Sequence, residues 1–207
     1  MLSRRILLLS AVAAATCLHV PSIAFAVEVK ARSFIQDLAD TAMNTVAVKD
    51  LSDAERALRF RNLFVNTFDL PEISKLVLGR YWRPPTTAEQ RGEFQKLFED
   101  IQVYTWTRRF KEYSGETLDI FGVEPDASGD SLVVSQIRRH NLAPINVSWR
   151  VRKDGETFRV VDIIVEGASM IVTYRSDYSG VLSSQGGKLD SLLAVMRQKA
   201  DQLKAGS

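Results

Sequence analysis

The chain is 207 residues long and carries 27 Lys and Arg, 25 Asp and Glu, two His and one Cys. That near balance gives no electrostatic footprint for nucleic acid. Loss of a leader read at residues 1–26 takes Arg4, Arg5, Cys17 and His19, leaving 25 bases against 25 acids and no cysteine. Disulfides, a cysteine nucleophile and a Cys/His zinc site are thereby excluded.

The leader is read from its three parts. Met1-Leu2-Ser3-Arg4-Arg5 is a basic start, Ile6 to Val20 is apolar, and Ala24-Phe25-Ala26 is a small-x-small site. This is the pattern of a secretory signal peptide, with cleavage expected after Ala26. The apolar run falls short of the roughly 20 residues a membrane span needs. Thr16 before Cys17 makes a poor lipoprotein site, and the residues after Arg5 do not continue a twin-arginine signal. The expected organisation is a signal peptide over 1–26 and one domain over 27–207.

The next segments have helical period. Lys30 to Val46 places Phe34, Ile35, Leu38, Ala42 and Val46 on one stripe. Ser52-Asp53-Ala54-Glu55 is a capping box opening a second helix with Leu58, Phe60, Leu63, Phe64 and Phe68. Asp69-Leu70-Pro71 starts a short third helix that Gly79 should end. After Pro84-Pro85, Thr86 or Thr87 caps a long helix from Ala88 to Tyr113 that buries Phe94, Leu97, Phe98 and Ile101.

The period then shortens to two. Thr117 to Val123 and Leu132 to Arg139 read as strands around a Pro-Asp-Ala-Ser-Gly-Asp turn. In Ile145 to Arg152, the residues Ile145, Val147, Trp149 and Val151 share a face, with Asn146, Ser148, Arg150 and Arg152 opposite. Asp154-Gly155 is a hairpin turn into Phe158 to Val165, which is apolar on both faces apart from Arg159 and Asp162. Two helices follow, Ala168 to Leu182 and Lys188 to Leu203, split by Gly186-Gly187. Helices, then strands, then helices indicate an α+β fold, with helices wrapped around an antiparallel sheet of four or slightly more strands.

No catalytic set stands out. G-x-S-x-G, Walker and H-E-x-x-H motifs are all missing. His140, the one histidine after the leader, sits at a strand end beside Arg138, Arg139 and Asn141, where a surface role is expected. Asp162 lies inside an apolar strand. An ionised, unpartnered carboxylate there would cost several kcal/mol, so it should meet an arginine or a backbone N–H.

Two segments carry a family resemblance. The first is Phe68-Asp69-Leu70-Pro71-Glu72-Ile73, Val77-Leu78-Gly79-Arg80-Tyr81-Trp82, Thr87-Ala88-Glu89-Gln90-Arg91 and Phe94. The second is Asp162-Ile163-Ile164-Val165-Glu166-Gly167-Ala168-Ser169, then Tyr174-Arg175-Ser176-Asp177-Tyr178. In this order and behind a leader, they resemble the MlaC-type phospholipid-binding, or toluene-tolerance, family. The Gly186-Gly187 spacer is similar to that of a hopanoid-associated branch.

The resemblance implies a periplasmic carrier that is not an enzyme and needs no cofactor or metal. An apolar lipid cavity between helices and sheet would hold the acyl chains, with the head group near solvent. The implied partners are a phospholipid, an inner-membrane ABC transporter with an MCE-domain subunit, and an outer-membrane lipoprotein complex. The implied role is maintenance of outer-membrane lipid asymmetry by a monomer. The residues expected to line the cavity are Phe98, Ile101, Val103, Val147, Trp149, Val151, Val161, Ile163 and Val165. Arg138, Arg139, Arg150 and Arg152 are candidates for contact with anionic head groups or partners. Asp69, Gly79, Glu166, Gly167 and Ser169 are expected to serve architecture. The alternatives are a hopanoid carrier of the same fold, a cavity-fold enzyme using Asp162 or His140, and a filled interaction module.

Overall fold

Ser52, Asp69 and Thr87 set where three helices begin. Each side-chain oxygen accepts a hydrogen bond from a backbone N–H one turn on, at Glu55, Glu72 and Gln90, over 3.2, 3.1 and 3.2 Å. Gln90 completes the capping box by accepting from the Thr87 N–H at 3.0 Å. The computed structural model describes residues 22–206. The leader expected over 1–26 lies outside the described residues up to residue 21.

The elements in chain order are α1 (Ser22–Thr45), α2 (Asp53–Thr67), α3 (Leu70–Leu78), α4 (Ala88–Lys111), β1 (Thr117–Pro125), β2 (Ser131–Arg139), β3 (Leu142–Asp154), β4 (Thr157–Val165), β5 (Ala168–Ser169), α5 (Met170–Ser184) and α6 (Leu189–Ala205). A 3-10 turn, Gly79–Trp82, follows α3. Helix α1 starts before the Lys30 read from sequence. The stripe Ala31, Ile35 and Leu38 extends back to Val27, which also packs toward the sheet. Gly79 ends α3 with φ of 54°, a conformation that costs glycine little.

The strands form one antiparallel meander in the order β1-β2-β3-β4-β5. Strand β5 has two residues, too few for any period to show. Glu166 and Gly167, both at positive φ, turn β4 back into it. Register slips between Arg150 and Val151, so Val160 opposes Val151 while Ile163 opposes Trp149. The even alternation expected along β4 is broken there, and Val161 does not continue the row of Ile163 and Val165 beside Val151.

The apolar interior is divided. Helix α1 covers the sheet, where Ala31, Ile35, Val133, Val151, Phe158 and Val160 make one cluster. Helices α2 to α6 make the other, around Phe60, Phe64, Phe94, Phe98, Leu192 and Met196. Leu63 and Phe68 pack against both. The joint has backbone ties: Phe68 forms a parallel bridge with Val160, and the Asp69 N–H donates to the Val160 carbonyl at 3.0 Å. Arg159 reaches from β4 to the carbonyls of Val65 and Asn66 at the end of α2, 3.2 Å each. Arg56, 2 % exposed, donates to the carbonyls of Val46 and Val48 and so fixes α2 against the end of α1.

Candidate functional site

Six of the nine residues read as cavity lining fall into the two clusters, and Val147, Val161 and Val165 belong to neither. Phe98, Ile101 and Val103 lie on α4 in the helical cluster. Val151 lies in the sheet cluster, with Trp149 and Ile163 packed against it. Val147 and Val161 are buried and Val165 is half-buried. The structure thus places the helical and sheet sets in neighbouring cores that share Leu63 and Phe68, with no single wall made of all nine. Phe98 stands 5.3 Å from Tyr174 edge-on and 6.1 Å from Phe94. Trp149 is held across the sheet: its indole N–H donates to Ser135 Oγ at 3.1 Å, and that hydroxyl donates to the Val147 carbonyl at 2.7 Å.

Asp162 behaves as expected of an acid in an apolar strand. It is 3 % exposed and accepts from Arg150 Nη1 at 3.1 Å, Ser169 Oγ at 2.6 Å and the Ile171 N–H at 3.1 Å. Both carboxylate oxygens are committed to holding β4, β5 and α5 together. His140 is exposed in the β2–β3 turn.

The four arginines offered for head groups or partners are engaged inside the chain. Arg138 pairs with Asp119, and Arg139 donates to the Ala143 carbonyl. Arg150 also meets Asp126 at 3.3 Å. Arg152 pairs with Asp130 at 2.9 Å and Glu72 at 3.4 Å. Hydrogen bonds from Ser128, together with Arg150, hold the Asp126 carboxyl below the usual range. Sequence alternation correctly put Arg150 and Arg152 on the polar face, but it could not show that acids from the β1–β2 turn lie over them.

Two clefts open on the surface. One, of about 440 Å³, lies between the end of α2, the start of α3, α4 and the β3–β4 hairpin, and is lined by Val65, Phe68, Leu70, Arg152, Lys153 and Arg159 among others. It reaches Phe68, hence the seam between the clusters. The other, of about 320 Å³, lies between the end of α3, the 3-10 turn and α5. None of the nine expected residues lines either cleft.

The family model for MlaC protein matches residues 36–198, from within α1 to within α6. The chain belongs to the MlaC family. It is 28 % identical over 146 residues to the intermembrane phospholipid transport system binding protein MlaC of Haemophilus influenzae, covering 69 % of this chain and 67 % of that one. It also shares its fold with a phospholipid-binding protein from Ralstonia solanacearum solved in complex with a phospholipid. That likeness has a TM-score of 0.75 at 20 % identity, over 84 % of this chain and 99 % of the other.

Several motif residues of this MlaC-family chain have visible structural work. Asp69 caps α3, and Asp162 with Ser169 forms the strand-to-helix joint. Glu166 accepts from the Asn146 N–H at 2.6 Å, tying the β4–β5 turn to β3. Arg175 Nε donates to the Leu76 carbonyl at 2.7 Å and lies 3.6 Å from where a Cβ on Gly79 would stand. The two segments that carry the MlaC resemblance therefore meet in space. Buried Arg56 escaped sequence reading because an arginine on an amphipathic helix ordinarily faces water.

Proposed function

We propose that this chain is a periplasmic carrier of phospholipid between the outer and inner membranes of a Gram-negative envelope. The observation that carries the reading is membership of the MlaC family over residues 36–198. The relative named for intermembrane phospholipid transport and the phospholipid held by the shared fold support it. The physical need is plain. Exposing an acyl chain to water costs about 0.8 kcal/mol per CH₂, hence roughly 10 kcal/mol or more per chain.

The acyl chains lie between the two apolar clusters. Val147, Trp149, Val151, Val161, Ile163 and Val165 supply the sheet side, and Phe98, Ile101 and Val103 the helical side. Each cluster is packed within itself, so parting them costs their shared contact around Leu63 and Phe68 and strains the Phe68–Val160 and Arg159 ties beside it. The cleft at Phe68 is the way in: apolar Val65, Phe68 and Leu70 form its floor, and Arg152, Lys153, Arg159, Glu99 and Asp154 give it a rim of both signs. Such a rim suits a zwitterionic head group. The carrier forms and breaks no covalent bond, and Asp162 is occupied in the fold.

Export follows from the leader, cleaved after Ala26, which leaves 27–207 as the lipid-binding domain. The partners are an inner-membrane ABC transporter with an MCE-domain subunit and an outer-membrane lipoprotein complex, served by a monomer that maintains outer-membrane lipid asymmetry. Native mass spectrometry of gently purified protein, followed by lipid extraction, should recover a two-chain phospholipid. Recovery of a hopanoid would reassign the cargo. Protein that is always empty and takes up no lipid from vesicles would overturn the carrier. Ile163→Trp, which fills space beside Trp149, should lower the lipid recovered per protein; unchanged recovery would remove the sheet residues from the site.

A further inference from the structure

The second cleft gathers sequence features that the carrier reading leaves unused. Its floor is apolar, made by Val77, Leu78 and Leu182 of the helical cluster. Its polar lining is Arg80, Tyr81, Arg175, Tyr178 and Ser179, with no acid among the lining residues. Arg80 lies over the Tyr81 ring, 4.8 Å from its centroid, and donates to the Tyr81 hydroxyl at 2.7 Å. Arg175 spends Nε and Nη2 on the Leu76 carbonyl, a backbone acceptor. Neither guanidinium pairs with a carboxylate among the described residues, whereas Arg61, Arg150, Arg152, Arg159 and Arg197 all do. Each retains N–H donors in the fork geometry that suits an oxyanion.

The hydroxyls add to this set. Burial pushes the Tyr178 phenol up, with smaller contributions from Tyr174 and Asp177, so it stays neutral and can donate. The 3-10 turn sets Arg80 on the same cleft as Arg175, and glycine at 79 leaves Arg175 room to lie across the end of α3. Gly187 comes within 4.0 Å of the Tyr81 ring, measured from the position of an added Cβ. LGRYW, YRSDY and the Gly-Gly spacer, scattered in sequence, thus converge on one electropositive hollow.

We propose that this cleft is a second binding site, for a phosphate-type oxyanion carried at the edge of an apolar group. Arg80 and Arg175 grip the oxyanion, and Tyr178 and Ser179 complete its hydrogen bonds. Val77, Leu78 and Leu182 take the adjoining hydrocarbon. At about 320 Å³ the hollow is near the lower limit for ligand sites and suits a head group, not a two-chain lipid. It shares no lining residue with the cleft at Phe68, so it goes beyond the carrier reading and stands independently of where acyl chains lie.

Calorimetric titration of the purified protein with inorganic phosphate and with dihexanoyl phosphatidylglycerol, below its micelle concentration, tests the site. Arg80→Gln should weaken binding about tenfold, and Arg80→Gln with Arg175→Gln should weaken it further, as expected for lost charge-assisted hydrogen bonds. Preference for the short-chain lipid over phosphate identifies a head-group site; equal binding identifies a site for a free oxyanion. Arg175→Gln also removes the cap on Leu76, so thermal melts accompany it. If that variant unfolds, Arg80→Gln alone decides. Affinities that do not change in the variants, or binding of neither probe, overturn the proposal. Retention of long-chain lipid by the double variant, read by extraction, separates this outcome from any failure of the carrier.

Discussion

The helical cluster and the sheet cluster are built from different materials. Around α4 the core is aromatic: Phe98 meets Tyr174 edge-on at 5.3 Å, Phe94 meets Tyr178 edge-on at 5.7 Å, and Phe60 and Phe64 stack at 5.7 Å. Under α1 the sheet core is mainly aliphatic, with Val133, Val151 and Val160 at its centre and the ring of Phe158 tilted toward Phe34. Rings that interlock leave little freedom, whereas short branched side chains on a pleated surface can be covered by any apolar partner. The difference teaches where a carrier can yield. The helical layer is the frame, and in the proposed carrier the face that would give way is the one toward the sheet.

The largest effect should come from the frame. Phe94→Ala is expected to cost about 3–5 kcal/mol in urea unfolding. Val151→Ala should cost less, about 2 kcal/mol. Equal costs would break the distinction between the two cores. Next is the joint. Asp162→Ala leaves Arg150 with Asp126 alone and strands the Ile171 N–H, and should destabilise by about 3 kcal/mol. A small cost would mean that the sheet and α5 are held mainly by apolar contact.

The ion cluster on the outside of the frame matters less. Burial alone would raise the Asp100 carboxyl, but hydrogen bonds from Lys96 and Arg61 outweigh it and hold the group below its ordinary 3.8. A depressed carboxylate contributes stability that is complete above the unfolded value and is lost as pH falls through the folded one. Asp100→Asn should therefore cost about 1 kcal/mol at neutral pH, and this difference should shrink as the pH falls below 3.8 and disappear only below the lowered folded value. A difference that persists in acid would assign the cost to packing. Smallest of all, His140→Ala should stay within about 0.5 kcal/mol and leave bound lipid unchanged.

Much of this was written locally. Ser52 and Asp69 announce helix starts because a cap needs only its own next turn, Thr86-Thr87 announces a third without saying which threonine caps it, and Gly79 and Gly155 mark turns for the same reason. The need of Asp162 for partners was legible because a carboxylate in an apolar strand has one tolerable state. Its partners proved to be Arg150, Ser169 and the Ile171 N–H, brought together by a two-residue strand with no period to read. The bulge that sets Val160, not Val161, against Val151 was equally hidden, because register depends on the neighbouring strand.

Alone, then, the sequence determined the elements, their caps, the α+β order and the motifs of the family, all of which depend on residues a few positions apart. Tertiary structure decided the division into two cores, the engagement of Arg138, Arg139, Arg150 and Arg152, and the placing of Arg80 and Arg175 on one cleft. Most of those bring together segments distant along the chain. Whether a charge is neutralised or an apolar face is covered depends on what the fold sets opposite it, and no local pattern records that.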